Sequence, residues 1–143
     1  MTQDERCLFL IRELLRDMPQ FKDTPVPLSP ARRWRLLRSL MNVRPPIPVT
    51  EAFCRVQDAF LQTMTEEKGI VDAEALMPTL KDDRLVLWQG DTTTLRCDAI
   101  VNAANSRLFG CFPPCHGCID NIIHTMAGVQ LRLKCRELMD AQG

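Results

Sequence analysis

Between Gly110 and Ala127 the chain reads G-C-F-P-P-C-H-G-C-I-D-N-I-I-H-T-M-A, and no other stretch constrains its fold as much. Cys111, His116 and Cys118 form a Cys-x4-His-x-Cys pattern that ends where an apolar run of helical period begins. Two thiolates and an imidazole suit a zinc ion, whose borderline softness favours sulfur and nitrogen ligands in a tetrahedral arrangement. Three protein ligands leave a fourth position open, as in catalytic zinc sites, whereas structural sites are normally closed by four. Cys115 is the complication, since a Cys3His set would close the site. That arrangement ranks second, because Cys115 and His116 are sequence neighbours and would have to turn onto one ion from adjacent backbone positions. The competing reading treats these cysteines as small buried apolar residues. Cys111, Cys115, His116 and Cys118, all within eight positions and flanked by Pro113, Pro114 and Gly117, argue against it.

Composition bounds the rest. The 143 residues suffice for one domain with a real core, and 45% apolar with 25% charged residues is the profile of a globular protein. Lys plus Arg equals Asp plus Glu, so no global basic field argues for nucleic acid. The local cluster Arg32, Arg33, Arg35 and Arg38 reads as a solvated helix face. No apolar run reaches membrane-spanning length, and the charged Met1–Asp17 stretch is no signal peptide. Seven cysteines without an export signal read as reduced thiols and metal ligands, which predicts a cytoplasmic protein.

The first half reads as helices separated by proline. Cys7, Leu10, Ile11, Leu14 and Met18 share one helical face, and Pro19 ends that helix. Ser29 reads as an N-cap before Pro30, and Thr50 as the cap of a third helix. The intervening helix would bury Trp34, Leu37, Leu40 and Met41, and the third Phe53, Val56, Phe60, Leu61 and Met64. The period then changes. Arg84–Trp88 and Asp98–Val101 are apolar runs of strand length, predicting an α/β layer with partly parallel pairing. Ile119–Met139 reads as one long helix with Ile119, Ile122, Ile123, Met126, Gln130 and Leu133 toward the inside, weakened slightly by Gly128. His124 reads as a packing or supporting histidine rather than a fourth ligand. Cys7, Cys54, Cys97 and Cys135 read as inert buried thiols.

Three further groups carry candidate chemistry. Asp91 follows Gly90 at a predicted strand end, where α/β folds place ligand-binding groups, although it could equally cap a turn. Asn102 and Asn105 flank two alanines, and an amide both donates to and accepts from sugar hydroxyls. Ile119, Asp120 and Asn121 open a helix directly after a ligand cysteine. The free N–H groups there suit phosphate oxygens or an attacking water, while Asp120 could be ordinary first-turn chemistry.

The stretch 110–128 closely resembles the signature of the zinc-containing macrodomains, a microbial family of ADP-ribosyl hydrolases. Q-G-D-T-T at 89–93 and V-N-A-A-N at 101–105 resemble two motifs of macrodomains generally, and M-N-V-R-P-P-I-P at 41–48 resembles the signature of the family's helical extension. The resemblance implies an α/β fold: a helical extension over 1–80, then the first part of a three-layer α/β/α macrodomain over 81–143, apparently truncated. It implies one Zn2+ per chain held by Cys111, His116 and Cys118. It implies adenine recognition by Asp91 with backbone help from the next residue, here Thr92 where the family has an apolar one. Asn105 would position the distal ribose and Asn102 would support the loop. Ile119, Asp120 and Asn121 would line the ligand, with Asn105 and Asp120 the catalytic candidates. The implied activity is removal of ADP-ribose from mono-ADP-ribosylated protein side chains. The implied partners are a lipoyl-carrier-like target and a sirtuin-type transferase. Competing readings are a non-catalytic ADP-ribose reader and a structural zinc module. With two strands and no second Gly-rich phosphate loop, the sequence reads as about the first half of a family-length protein, and such a piece should be a poor enzyme.

Overall fold

A computed structural model describes residues 1–142. Three helices form its base: α1 (Gln3–Asp17), α2 (Pro30–Val43) and α3 (Glu51–Lys68). Their boundaries follow from local chemistry. Thr2 and Glu5 close a capping box on α1, with Glu5 N–H donating to Thr2 Oγ1 and Thr2 N–H to Glu5 Oε2. Pro30 opens α2 and Pro45 forbids its continuation, whereas Ser29 occupies the N-cap position without a side-chain cap bond. Thr50 Oγ1 accepts from Phe53 N–H at 3.1 Å, and Gly69 ends α3 at φ +91°. The apolar stripes meet in one cluster around Leu10, Ile11, Leu14, Leu37, Phe53 and Phe60. Each such side chain taken from water stabilises the fold by ~1.5–3 kcal/mol, so this cluster anchors the chain. Val129, from a much later helix, joins it.

The sheet is minimal. β1 (Val71–Asp72) pairs in parallel with β2 (Leu95–Arg96), with Val71 opposite Leu95. The expected strands over Arg84–Trp88 and Asp98–Val101 do not form. Val86 makes an isolated antiparallel bridge to Pro78, and Leu87 and Val101 stand 91% and 95% exposed. A strand exists only by pairing its backbone, and among the described residues neither run has a strand to pair with. A 3-10 turn over Thr92–Thr94 leads into β2 and packs against α3 and α4.

The expected single helix over Ile119–Met139 is two: α4 (Ile119–Ala127) and α5 (Val129–Gln142). Gly128 sits at φ +81°, ψ 177°, a conformation available almost only to glycine, so it breaks the helix rather than weakening it. Gln57, fully buried on α3, fixes the break by accepting from Val129 N–H at 3.0 Å. Ile123 is buried, while Ile119, Ile122, Met126, Gln130 and Leu133 are half-buried. Among the described residues, no helix is long and apolar enough to cross a membrane.

Candidate metal centre

The metal candidates converge before α4. Gly110, at φ +80°, lies against the His124 ring, where a Cβ would come within 2.7 Å of the imidazole. The loop that follows brings Cys111 Sγ to 3.5 Å from His116 Nδ1. Cys118 is the N-cap of α4, its sulfur accepting from Asn121 N–H at 3.4 Å. The donor atoms of Cys111, His116 and Cys118 lie within 4.8 Å of one another. A tetrahedral zinc with ordinary bond lengths needs separations of ~3.6 Å between sulfur and nitrogen and ~3.8 Å between sulfurs. The donor set and the 3.5 Å spacing fit such an ion. Burial alone would raise the Cys118 thiol, but hydrogen bonds from His116, Asn121 N–H and Cys111 outweigh it and hold it below the ordinary range. Cys111 is pushed up, first by burial and then by the neighbouring Cys118. Loss of the Cys118 proton, which a metal ligand requires, is thus made easier by its neighbours than loss of the Cys111 proton.

Cys115 points elsewhere. Its backbone is left-handed at φ +54°, its N–H donates to Asn42 Oδ1 at 2.9 Å, and its sulfur lies 3.2 Å from Ser39 Oγ and 3.4 Å from the Arg35 carbonyl. The thiol rests on α2, and the metal group holds three residues.

Other candidates gather around the start of α4. Asp120 is buried and accepts on Oδ1 from Asn102 Nδ2 at 2.8 Å, with His124 Nε2 3.6 Å away. Burial, opposed by Asp120 and reinforced by Arg132, lowers the His124 pKa. Asn105 is exposed, its Nδ2 donating to the Gly110 carbonyl at 3.2 Å, immediately before the first cysteine. Among the described residues, Asp91 shares no hydrogen bond or ion pair with this cluster. Its carboxylate caps the 3-10 turn through Thr93 N–H at 3.0 Å and takes Lys68 Nζ at 3.0 Å. Burial would raise its pKa, but the Thr93 and Lys68 hydrogen bonds lower it overall. Thr92 is half-buried, its Oγ1 without a partner.

Several residues that hold the site carry no local sequence signal. Asn121 is completely buried and donates through Nδ2 to the carbonyls of Cys111 and Pro113, both at 3.1 Å. Arg38, expected on a solvated face, reaches across from α2 to the His116 carbonyl and Asn121 Oδ1. Asn42 donates to Thr125 Oγ1 at 3.0 Å, and buried Arg132 donates to the Asn42 carbonyl at 2.9 Å while stacking 4.3 Å over the Phe112 ring. The run 41–48 could have pointed here. Its prolines free carbonyls that Arg44, 1% exposed, satisfies at Ile47 and Pro48. Of the remaining thiols, Cys7 is buried and pushed up to about 11, chiefly by burial. Cys54 and Cys135 are half-buried, and Cys97 is exposed rather than buried.

Fold and site together define a helical base bearing a partial α/β layer and a Cys-His-Cys group able to hold a metal. The chain matches the Macro domain model over residues 101–143. It is 49% identical over 145 residues to a protein of Treponema medium named protein-ADP-ribose hydrolase, covering 100% of this chain and 56% of that one. A Staphylococcus aureus protein of the same name is 46% identical over 138 residues, covering 96% and 51%. A Fusarium oxysporum protein named probable bifunctional ADP-ribose hydrolase/ADP-ribosyltransferase is 42% identical over 125 residues, covering 81% and 21%. The chain spans about half the length of the two bacterial relatives.

Proposed function

We propose that this chain carries the metal-holding part of a zinc-dependent hydrolase that releases ADP-ribose from mono-ADP-ribosylated protein side chains. The observation that carries the reading is the Cys111–His116–Cys118 group with Cys115 turned onto α2, two thiols and an imidazole that leave one coordination position open. The names of the bacterial relatives support the reaction class. We assign residues 1–80 to a helical extension and 81–143 to the first part of the macro module. All seven cysteines are free thiols, which suits a reducing, cytoplasmic setting. The substrate is a modified protein; a lipoyl carrier modified by a sirtuin-type transferase is the form that the family resemblance suggests.

Zinc, when bound, supplies Lewis acidity toward an oxygen of the distal ribose. The chain's own residues do the positioning. Exposed Asn105 is oriented by Nδ2 donating to the Gly110 carbonyl and Oδ1 accepting from Arg107 N–H, which leaves its second N–H and a second lone pair for ribose hydroxyls. Asp120 gives one oxygen to Asn102 and keeps the other to orient water, beside the first-turn N–H groups of Ile119 and Asp120. Asp91, released from Lys68, accepts from the adenine amino group, and the Thr92 backbone flanks it. Asn121 shapes the loop that the substrate meets.

Metal analysis of the purified chain should find near one equivalent of zinc, lost in Cys118→Ser and His116→Ala and kept in Cys115→Ala. Loss in Cys115→Ala with retention in Cys111→Ala would reverse the ligand assignment. Joined to the second half of the Treponema medium relative, the chain should release ADP-ribose from a modified protein, and a chelator should stop the release. Binding of ADP-ribose with no release from any modified substrate would make it a reader instead.

A further inference from the structure

We infer that Arg38, on the second helix of the helical base, is the positioning residue for the whole metal loop. The inference rests on the zinc reading above. A single atom, Arg38 Nη2, donates at 2.8 Å to the His116 carbonyl and at 2.8 Å to Asn121 Oδ1. Asn121 in turn donates its N–H to Cys118 Sγ and its Nδ2 to the Cys111 carbonyl. All three ligand residues are therefore tied to one guanidinium group within two hydrogen bonds.

The direction of control is set by rigidity. Arg38 projects from α2, whose neighbours Leu37, Leu40 and Met41 lie in the core, so its backbone is fixed before any ion arrives. The loop from Cys111 to Gly117 contains no helix or strand and depends on outside partners for its shape. Asn42, one turn further along α2, takes Cys115 N–H and donates to Thr125, holding the same loop at its middle. Holding Asn121 Oδ1 on Arg38 fixes the side-chain amide so that Nδ2 faces the Cys111 and Pro113 carbonyls, while the backbone N–H of the same residue meets Cys118 Sγ. Partners of this kind around a metal are worth about 10- to 100-fold in affinity, because without them the ligands must be ordered at the moment of binding.

The test compares zinc affinity, read by competition with a chromophoric chelator, among the parent chain, Arg38→Met, Arg38→Lys and Arg33→Met. Arg33 is also on α2 and pairs with Asp4, far from the loop in its contacts, so its variant reports a general loss of helix stability. Arg38→Met should bind zinc about 10- to 100-fold more weakly, with Arg38→Lys partly rescued and Arg33→Met within twofold of the parent. Metal-free Arg38→Met should also show faster amide exchange over 111–121 with unchanged exchange in α1 and α3. Cobalt-substituted Arg38→Met should show altered ligand-field bands, a change in geometry that lost stability alone would not produce. Zinc affinity of Arg38→Met within twofold of a zinc-binding parent overturns the inference, as does equal weakening by Arg33→Met. A parent chain that binds no zinc overturns the metal reading itself, and the inference with it.

Discussion

Replacing Gly128 by alanine should be the most damaging small substitution in this chain. Its φ of +81° with ψ of 177° is a region where any other residue is strained by ~1–3 kcal/mol. A Cβ there would lie 2.3 Å from Gln57 Nε2, 2.8 Å from Gln57 Cδ and 2.7 Å from Gln130 Oε1. Gln57 is 0% exposed, so it cannot swing into water, and moving it breaks its 3.0 Å bond to Val129 N–H. A buried donor left without a partner costs ~1–3 kcal/mol, so strain and lost bond together reach ~2–6 kcal/mol. That is a large share of the roughly 5–15 kcal/mol that holds a domain of this size folded. Urea denaturation monitored by circular dichroism measures it, with Gly117→Ala as control. Gly117 has open space around its missing Cβ and should change stability by less than ~0.5 kcal/mol. A Gly128→Ala variant within ~1 kcal/mol of the parent, with helical signal undiminished, would refute the reasoning. It would mean that Ile119–Met139 can run as one continuous helix after all.

Two further outcomes follow from the same physics. The His124 pKa is lowered in the fold, so the unfolded chain takes up its proton first as pH falls through about 6.5. Stability should therefore be full above that pH and decline below it until the lower folded pKa is passed; in the presence of chelator His124→Gln should lose less stability between pH 7.5 and 5.5 than the parent, and equal losses would exclude His124 as the source. Leu80, Leu87 and Val101 are all at least 91% exposed, so the chain should self-associate with rising concentration, and Leu87→Lys with Val101→Lys should shift light scattering toward monomer; a parent that stays monomeric at every concentration would show that these runs are not adhesive.

The parts legible in the sequence are those whose causes lie within a few residues of one another. Thr50 caps α3 through Phe53, Pro19 stops the first helix, and the Leu10–Leu14 stripe needs only helical period to be seen. The metal group belongs to the same class, since Cys111, His116 and Cys118 come from one short segment. Arg38 was hidden for the opposite reason. It stands 78 residues from His116 and 83 from Asn121, and on its own helix it looks like one more surface arginine. Gly128 was visible as a weak helix former, but its role depends on Gln57, supplied by a different helix. The apolar runs at 84–88 and 98–101 failed as strands because period and β propensity only make a segment competent to pair, and pairing needs a second backbone.

These contrasts imply that the metal centre and the sheet are separable in this chain. The hydrogen bonds that shape the 111–118 loop come from α2, α4 or the loop itself, Arg132 of α5 adds its stack over Phe112, and α2 rests on the core built with α1 and α3. Nothing that holds the three ligands passes through β1 or β2. The residues proposed to meet nucleotide and sugar are placed differently. Asp91 sits beside β2 and spends its charge on Lys68, and Asn105 stands on a loop entered from the exposed Asp98–Val101 run. Holding an ion needs only ligands fixed locally, whereas orienting a substrate needs distant groups held to within about an ångström. Zinc binding should therefore persist under conditions that disorder residues 77–105, while any affinity for ADP-ribose should disappear with that segment. Mild urea titrations of zinc content and of ADP-ribose binding would show the two losses at different concentrations if the centre is independent, and at one concentration if the sheet supports it.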